Sequence, residues 1–418
     1  MPTGARWPLA VVCLYAALVP LAPVFILPDG SPLRLAASDL LAPLVVLAAI
    51  AHPRRRLPFG PMALTAAIPS LALLSTLWAA VGRSLSLYAV GKTAGLIYLA
   101  GLTLAMMRAT DRDAAPAILR ALARGIFWSA VLGLVGFAAY LHGKANPLVD
   151  GERLCSTMTG DPNIYGGLVA VALVITASDA RAGVLSRVVR SGILMAALLA
   201  TGSRSAVLGA MTGLVVCTLL RARDPVVSAG RWVYLGAAAG LGVIALLTTD
   251  VGADSASRLW EHHWRNFTVE SRLDLYARAF DEFSEHPVTG LGIGGFRDLN
   301  RFEHGGHASH FVVHDTYLWA LVDLGVAGGL LIVGLIVAGI WRCVRAARGR
   351  PPAEGAAAIA AGLAAMAIFN LFIDGFYQRQ FWILLACAFG LPIFRAVRRA
   401  APAEWQRDVG GAAAYGMP

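Results

Sequence analysis

Apolar segments of about twenty residues recur along this 418-residue chain, and they constrain its fold more than any other feature. A helix needs roughly 20 mostly apolar residues to cross the hydrocarbon core of a bilayer. Hydrophobic residues make up 57% of the chain and charged residues only 14%, which excludes an ordinary soluble enzyme. The sequence therefore predicts an all-α polytopic membrane protein with about twelve transmembrane helices, at residues 8–28, 37–52, 62–82, 86–107, 121–142, 164–180, 188–202, 204–222, 232–249, 314–341, 355–373 and 380–397.

The distribution of basic residues predicts how these helices are oriented. Cytoplasmic loops of membrane proteins collect Arg and Lys. If both termini are cytoplasmic, 22 Arg fall in cytoplasmic segments, against six basic residues in the short exterior segments. The net charge of +10 then follows from membrane topology, and no motif indicates a nucleic-acid partner. We therefore expect a multi-pass protein in a lipid bilayer, with both termini in the cytoplasm.

One connection is much longer than the others. Residues 250–313 form a 64-residue segment that the charge distribution places outside the cytoplasm. Connections of this length are usually functional or disordered. The expected organisation is therefore transmembrane helices 1–9 over 1–249, a long exterior loop over 250–313, transmembrane helices 10–12 over 314–397 and a cytoplasmic tail over 398–418.

The long loop carries a helix signal of its own. Ser271 with Asp274 resembles the start of a helix, and four apolar or aromatic residues follow at helical spacing: Leu273, Tyr276, Phe280 and Phe283. His286-Pro287 predicts the end of this amphipathic helix, and the glycine-rich run 290–295 predicts a sharp turn after it. We expect this loop to fold against the membrane.

Arginines in the exterior segments are candidates for anion binding. Arg204 lies in the run Thr201-Gly-Ser-Arg-Ser205 at a turn between two helices, where it either binds an anion or reaches the lipid headgroups. Arg272 lies at the predicted start of the loop helix, and a helix N-terminus also attracts anions. Arg265, seven residues earlier, is the alternative to Arg272.

His314 is the candidate general base, because it lies where the long loop returns to the membrane. The positive end of a helix disfavours a protonated imidazole and so keeps a base neutral. The alternative is that His314 only caps this helix. Other polar residues are candidates for supporting roles: Asp315, Tyr317, Arg153, Asp161, Asn163 and Lys92. Asp161 is also a candidate helix cap, and Lys92 a candidate partner of Asp323.

Metal and nucleotide chemistry find little support in the sequence. His304, His307 and His310 are spaced by three, but the segment is glycine-rich and no Cys or firm set of carboxylates completes a metal site. The run 290–295 lacks the Lys-Ser/Thr end of a phosphate-binding loop. We predict no metal and no cofactor. An exterior enzyme of this kind needs a donor that is already activated there, and a lipid diphosphate fits: two Arg would bind it and a neutral His would accept a proton from the attacking hydroxyl.

Three stretches of the chain resemble the O-antigen ligase/polymerase superfamily of bacterial envelope enzymes. They are Thr201-Gly-Ser-Arg-Ser-Ala206, the run from Ser271 to Phe296, and the run from His314 to Gly329. All three occur in this order and on one predicted side of the membrane. The resemblance implies a metal-independent inverting glycosyltransferase with a GT-C-like fold in the bacterial inner membrane, with its active site in the periplasm.

The resemblance also implies substrates and residue roles. The donor would be a glycan on undecaprenyl diphosphate, and for a ligase the acceptor would be a sugar of lipid A–core. Arg204, Arg272 and His314 match the two arginines and the histidine of the family. Asp315 stands where the family usually has Asn, and an acid there would orient His314 or raise its pKa. The single large loop favours a ligase; a polymerase, which uses a second lipid-linked glycan as acceptor, is the alternative, and a glycolipid flippase is a more remote one.

Overall fold

The computed structural model describes most of the chain as helix. The described residues are 7–22, 24–26, 32–34, 36–51, 57–82, 86–109, 114–150, 152–155, 160–221, 236, 267–304, 307–310, 312–349 and 352–391. The helices are α1 (Trp7–Leu18), α2 (Ala42–Ala51, after a 3-10 turn at Ala37–Leu41), α3 (Phe59–Gly82), α4 (Leu87–Ala109), α5 (Ala115–Leu141), α6 (Pro162–Ser178), α7 (Val184–Ala200), α8 (Arg204–Arg221), α9 (Phe267–Glu285), α10 (Gly295–Leu299), α11 (Thr316–Arg348), α12 (Ala356–Phe369) and α13 (Arg379–Gly390).

Extended structure in the described ranges is limited to three short antiparallel hairpins. They pair β1 (Val24–Ile26) with β2 (Pro32–Arg34), β3 (Val149–Asp150) with β4 (Arg153–Leu154), and β5 (Arg301–His304) with β6 (His307–His310). The β3–β4 hairpin matters for function, because it brings Arg153 to the start of α6.

The predicted apolar segments agree with this helical architecture. Eleven of the twelve overlap a described helix, and the ninth, 232–249, lies outside the described residues except for Gly236. Judged by length and composition, five helices in the described part are long and apolar enough to cross a membrane: α3, α4, α5, α8 and α11. The chain is thus mostly helical and of the multi-pass membrane type, and the full count of twelve spans stays a prediction.

Small residues allow the central helices to pack closely. Helices α6, α12 and α13 are buried along almost their whole length. A Cβ on Gly209 of α8 would lie 2.6 Å from the carbonyl oxygen of Ala365 in α12, and one on Gly213 would lie 2.8 Å from that of Ala361. Close backbone approach at small residues is the usual way in which membrane helices gain packing energy.

Helix α11 is interrupted at Gly325, where the backbone (φ 70°, ψ −172°) occupies a region essentially restricted to glycine. The glycine turn, which we define as residues 290–295, docks against this break: a Cβ on Gly290 would lie 2.5 Å from the carbonyl carbon of Asp323. Gly290, Gly292 and Gly294 all have positive φ. The sharp turn predicted from the sequence is confirmed.

The loop helix is also confirmed, although its predicted start is wrong. Helix α9 runs from Phe267 to Glu285, so it begins four residues before Ser271 and ends directly before His286-Pro287. Ser and Asp are common in the first turns of helices as well as at their caps, so the capping pattern misplaced the start. Most of the loop before α9, residues 250–266, lies outside the described residues.

We predict that Gly325→Ala destabilises the fold. The new Cβ would overlap the carbonyl oxygen of Val288, and backbone strain alone costs about 1–3 kcal/mol in this region. The midpoint of thermal unfolding in detergent should fall. Gly334→Ala in the same helix is the matched control, because no atom lies within 4 Å of its built Cβ and Ala favours a helix interior. Equal midpoints for the two variants would contradict the prediction.

Candidate active site

Hydrogen bonds hold the starts of α6 and α8 together at one end of the helical bundle. Arg153 in β4 donates from Nε to the carbonyl oxygen of Thr201 and from Nη2 to Oδ1 of Asn163, both at 2.7 Å. Asp161 caps α6, and its Oδ1 accepts from the amides of Asn163 (2.9 Å) and Ile164 (3.3 Å). Arg153 therefore fixes the α7–α8 turn against the start of α6.

The turn that carries Arg204 is tightly built. Gly202 has φ +60°, and a Cβ there would lie 3.2 Å from Nε of Arg153. The hydroxyl of Thr201 donates to the carbonyl oxygen of Leu198 (2.6 Å) and accepts from the amide of Ser203 (3.2 Å). Arg204 follows as the exposed first residue of α8. An exposed guanidinium on a rigid turn at a helix N-terminus is well suited to bind an anion.

Asp315, not His314, caps α11. Its Oδ1 accepts from the amides of Tyr317 (2.7 Å) and Leu318 (2.9 Å). The possibility that His314 acts as the cap is therefore wrong. Burial raises the pKa of the Asp315 carboxyl, and the two backbone hydrogen bonds act in the opposite direction.

The surroundings of His314 favour its neutral form. Burial lowers the pKa of His314, and the positive charge of Arg272 lowers it further, whereas Asp374 and Asp161 act in the opposite direction. The expectation that Asp315 raises this pKa is wrong, because its carboxylate is engaged with helix amides and the net shift is downward. A half-buried, neutral imidazole can accept a proton at neutral pH.

Helix α9 carries Arg272 into this environment. Tyr276, one turn after Arg272 on the same helix face, donates from its hydroxyl to the carbonyl oxygen of His314 at 2.9 Å. Leu275 and Ala279 on α9 are buried in the core. Arg272 also lowers the pKa of Arg153, after the larger effect of burial. Arg272, Arg153 and His314 thus share one electrostatic environment.

The segment 370–378, between α12 and α13, anchors the start of α11. Thr316 donates from its amide to the carbonyl oxygen of Asn370 (2.9 Å) and from its hydroxyl to that of Ile373 (3.0 Å). The hydroxyl of Tyr317 donates to the carbonyl oxygen of Ala367 at 2.9 Å. These bonds place Asp374 close enough to His314 to influence its pKa.

Lys92 belongs to this end of the bundle through an ion pair with Asp374. Its Nζ lies 2.9 Å from Oδ2 of Asp374 and 3.8 Å from the centre of the Tyr377 ring. The expected alternative, a pair between Lys92 and Asp323, is wrong. Asp323 instead accepts hydrogen bonds from backbone amides of the glycine turn and of α10. A buried ammonium needs the nearest available counter-charge, and Asp374 supplies it.

Four candidate site residues from the sequence analysis have side chains outside what the structure describes. Arg265 lies outside the described residues, as do the side chains of His304, His307 and His310. Among the described side chains, one group of possible metal ligands is present at the end of α9: Glu282, Glu285 and His286. It lies more than two helix turns beyond Arg272, so it forms no part of the site around His314.

Part of this region matches a known protein family. Residues 189–333 match the sequence profile of the family described as O-Antigen ligase. This part of the chain is therefore similar to the O-antigen ligase family. It contains Arg204, Arg272 and His314, whereas Arg153 and the segment 370–378 lie outside it. No curated protein matches the chain. The similarity supports a membrane enzyme of the ligase or polymerase type that acts on lipid-linked glycans.

Sequence reasoning missed several residues that hold this site together. Thr316 and Asn370 join α11 to the segment 370–378, and Tyr276 joins α9 to His314. The only available signal for Tyr276 was its spacing of four residues from Arg272. The contacts of Thr316 and Asn370 are far apart in the sequence, so a single sequence carries no signal for them.

We predict that Arg272→Gln raises the pKa of His314, because the variant removes a nearby positive charge that disfavours the imidazolium. The pKa can be read by nuclear magnetic resonance on protein labelled at histidine, with His314→Gln to assign the signal. Arg278→Gln, an exposed position further along α9, removes the same charge and should leave the pKa of His314 unchanged. Equal effects of the two variants would contradict a specific role for Arg272.

Proposed function

We propose that this protein is an O-antigen ligase of the bacterial inner membrane. It transfers a glycan from undecaprenyl diphosphate to a sugar hydroxyl of lipid A–core at the periplasmic face. The observation that carries the proposal is that burial and the charge of Arg272 both lower the pKa of His314, and that both residues lie in the part of the chain that matches the O-antigen ligase family. The proposed topology has twelve spans in a GT-C-like arrangement, both termini in the cytoplasm and residues 250–313 as the periplasmic loop.

Arg272 and Arg204 bind the donor diphosphate in this proposal. A guanidinium offers paired N–H donors in a geometry that suits phosphate oxygens. Negative charge grows on the diphosphate as the glycosyl bond breaks, so fixed cations stabilise the transition state more than the bound donor. Arg265 remains the alternative to Arg272, and the same binding assay on Arg265→Ala distinguishes them.

His314 acts as the general base. The acceptor hydroxyl attacks the anomeric carbon of the donor from the face opposite the diphosphate. A new carbon–oxygen bond forms as the bond to the diphosphate breaks, and the anomeric configuration inverts. The hydroxyl proton passes to His314, and undecaprenyl diphosphate leaves with the bonding electron pair. Two guanidinium groups supply the charge stabilisation that a metal ion would otherwise provide, so no metal or cofactor enters this scheme.

The remaining candidates support the site without touching the reacting atoms. Arg153, Asn163 and Asp161 hold the turn that presents Arg204. Asp315 and Tyr317 fix the start of α11 directly after His314. Lys92 forms an ion pair with Asp374 and so offsets part of the negative charge that favours the protonated form of His314.

We predict that His314→Ala lowers the transfer rate by about 10²–10⁴-fold and leaves donor binding largely intact, because a general base contributes to the chemical step. Arg204→Ala and Arg272→Ala should each weaken binding of undecaprenyl diphosphate about ten- to a hundredfold, since each removes charge-assisted hydrogen bonds. Binding is measured with purified protein in detergent, and transfer by gel shift of the acceptor. Arg278→Ala is the matched control, and transfer at the normal rate by His314→Ala would remove His314 from its role.

A polymerase is the second candidate, because the resemblance in the three motifs covers polymerases as well as ligases. The site would use the same residues with a second lipid-linked glycan as acceptor. The two functions differ in the acceptor and not in the bond-breaking step.

A transfer assay with both acceptors distinguishes these functions. Purified protein is mixed with undecaprenyl-diphosphate glycan, lipid A–core, a second lipid-linked glycan and a chelator. We expect glycan on lipid A–core. Longer chains on undecaprenyl diphosphate would instead indicate a polymerase. Failure to form any covalent product, together with movement of the glycolipid across vesicles, would indicate a flippase and contradict both.

A further inference from the structure

Asp323 is a buried carboxylate inside an apolar helix, and it faces backbone amides. It is 1% exposed. Its Oδ2 accepts a hydrogen bond from the amide of Gly294 (2.8 Å), and its Oδ1 accepts from the amide of Phe296 (3.3 Å). A charge in an apolar helix is costly, so a carboxylate held in this way indicates a specific role.

Backbone hydrogen bonds join the segment after α9 to the interruption in α11. The amide of Leu291 donates to the carbonyl oxygen of Val322, and that of Gly292 to the carbonyl oxygen of Asp323, both at 2.9 Å. On the far side of the break, the amide of Val326 donates to the carbonyl oxygen of Pro287 at 2.8 Å. The segment after α9, from Pro287 through the glycine turn, therefore supplies hydrogen-bond partners that the interrupted helix lacks.

Neighbouring side chains of α3 and α4 limit where the glycine turn can lie. A Cβ on Gly294, which has φ +79°, would lie 2.9 Å from the ring of Tyr88. A Cβ on Gly292 would overlap the side chain of Ala79. With α3 and α4 on one side and Asp323 on the other, the turn has little freedom to shift.

The glycine turn, held by Asp323, is connected to the candidate site through α9. Four residues separate the end of α9 from the glycine turn, and Arg272 lies on α9. Tyr276 of α9 bonds to the carbonyl oxygen of His314 at the start of α11. Helix α11 thus holds α9 at two places: near Arg272 through Tyr276, and beyond the C-terminal end of α9 through Asp323.

We propose that Asp323 is a positioning residue that sets the location of Arg272 relative to His314, and thereby controls binding of the donor diphosphate. The inference rests on the proposed function of Arg272. Asp323 acts on the donor through the glycine turn and α9, and it touches no reacting atom.

Asp323→Asn tests this role. An amide offers one oxygen, so it satisfies only one of the two backbone donors and places its NH₂ group against the other. We expect binding of undecaprenyl diphosphate to weaken about ten- to a hundredfold, because misplacement of a binding group by about 1 Å has effects of this size. Ser75→Ala is the matched control: it removes a buried hydrogen bond to the carbonyl oxygen of Asp323 (3.1 Å) but none to the glycine turn. Its donor affinity should stay normal.

A double-mutant cycle separates positioning from a merely structural role. If Asp323 acts through Arg272, then Arg272→Ala combined with Asp323→Asn binds donor no more weakly than Arg272→Ala alone. If the double variant instead weakens donor binding by the product of the two single effects, the proposal is overturned. Normal donor binding by Arg272→Ala would instead contradict the proposed function itself, so the two failures are distinguishable.

A second variant keeps the test valid if Asp323→Asn does not fold. Gly294→Ala leaves the carboxylate intact and disturbs its contact from the side of the turn. It should also weaken donor binding in a way that is not additive with Arg272→Ala. Normal donor affinity in this variant would likewise contradict the proposal.

Discussion

At two points, α11 has backbone groups that its own helical hydrogen bonds do not satisfy. Other groups bond to them there, and the candidate site depends on both attachments. At its start, the side chain of Asp315 accepts from two amides of the first turn. At its interruption, Asp323 accepts hydrogen bonds from amides of the glycine turn, with both its side chain and its carbonyl oxygen. In apolar surroundings, each unsatisfied backbone group costs several kcal/mol, so these attachments are strongly enforced. They fix where His314 lies and where α9 returns to it.

Burial in apolar surroundings also shapes the chemistry proposed for the site. Burial lowers the pKa of His314, and Arg272 lowers it further because its positive charge repels a protonated imidazole. In the proposed mechanism, the positive charge of Arg272 that would bind the diphosphate also keeps His314 unprotonated. The two proposed roles, anion binding and proton acceptance, are thereby coupled by electrostatics.

Much of the fold could be predicted from the sequence, because lipid leaves few choices for an apolar segment. Eleven apolar segments overlap described helices, and the loop helix was found from the spacing of Tyr276, Phe280 and their neighbours. The match to the O-antigen ligase family agrees with the motifs around Arg204, Arg272 and His314. The start of α9 was misplaced, since residues typical of caps also occur inside helices.

Partners distant in the sequence could not be predicted. The sequence offered Asp323 as a partner of Lys92, but the observed ion pair is with Asp374. That pair depends on how the segment 370–378 packs against the start of α11, which the sequence does not show. The role of Asp315 was misjudged, because an acid beside a histidine suggests a direct effect on it. The helix amides compete for that carboxylate, and they lie closer along the chain.

The most direct test of the account is a structure of the protein with undecaprenyl diphosphate bound, determined by electron cryo-microscopy in a lipid nanodisc. The account predicts that the phosphates lie within hydrogen-bonding distance of the guanidinium groups of Arg272 and Arg204, with His314 beside the terminal phosphate where the glycan would be attached. Phosphates bound elsewhere, with these three side chains empty, would contradict it.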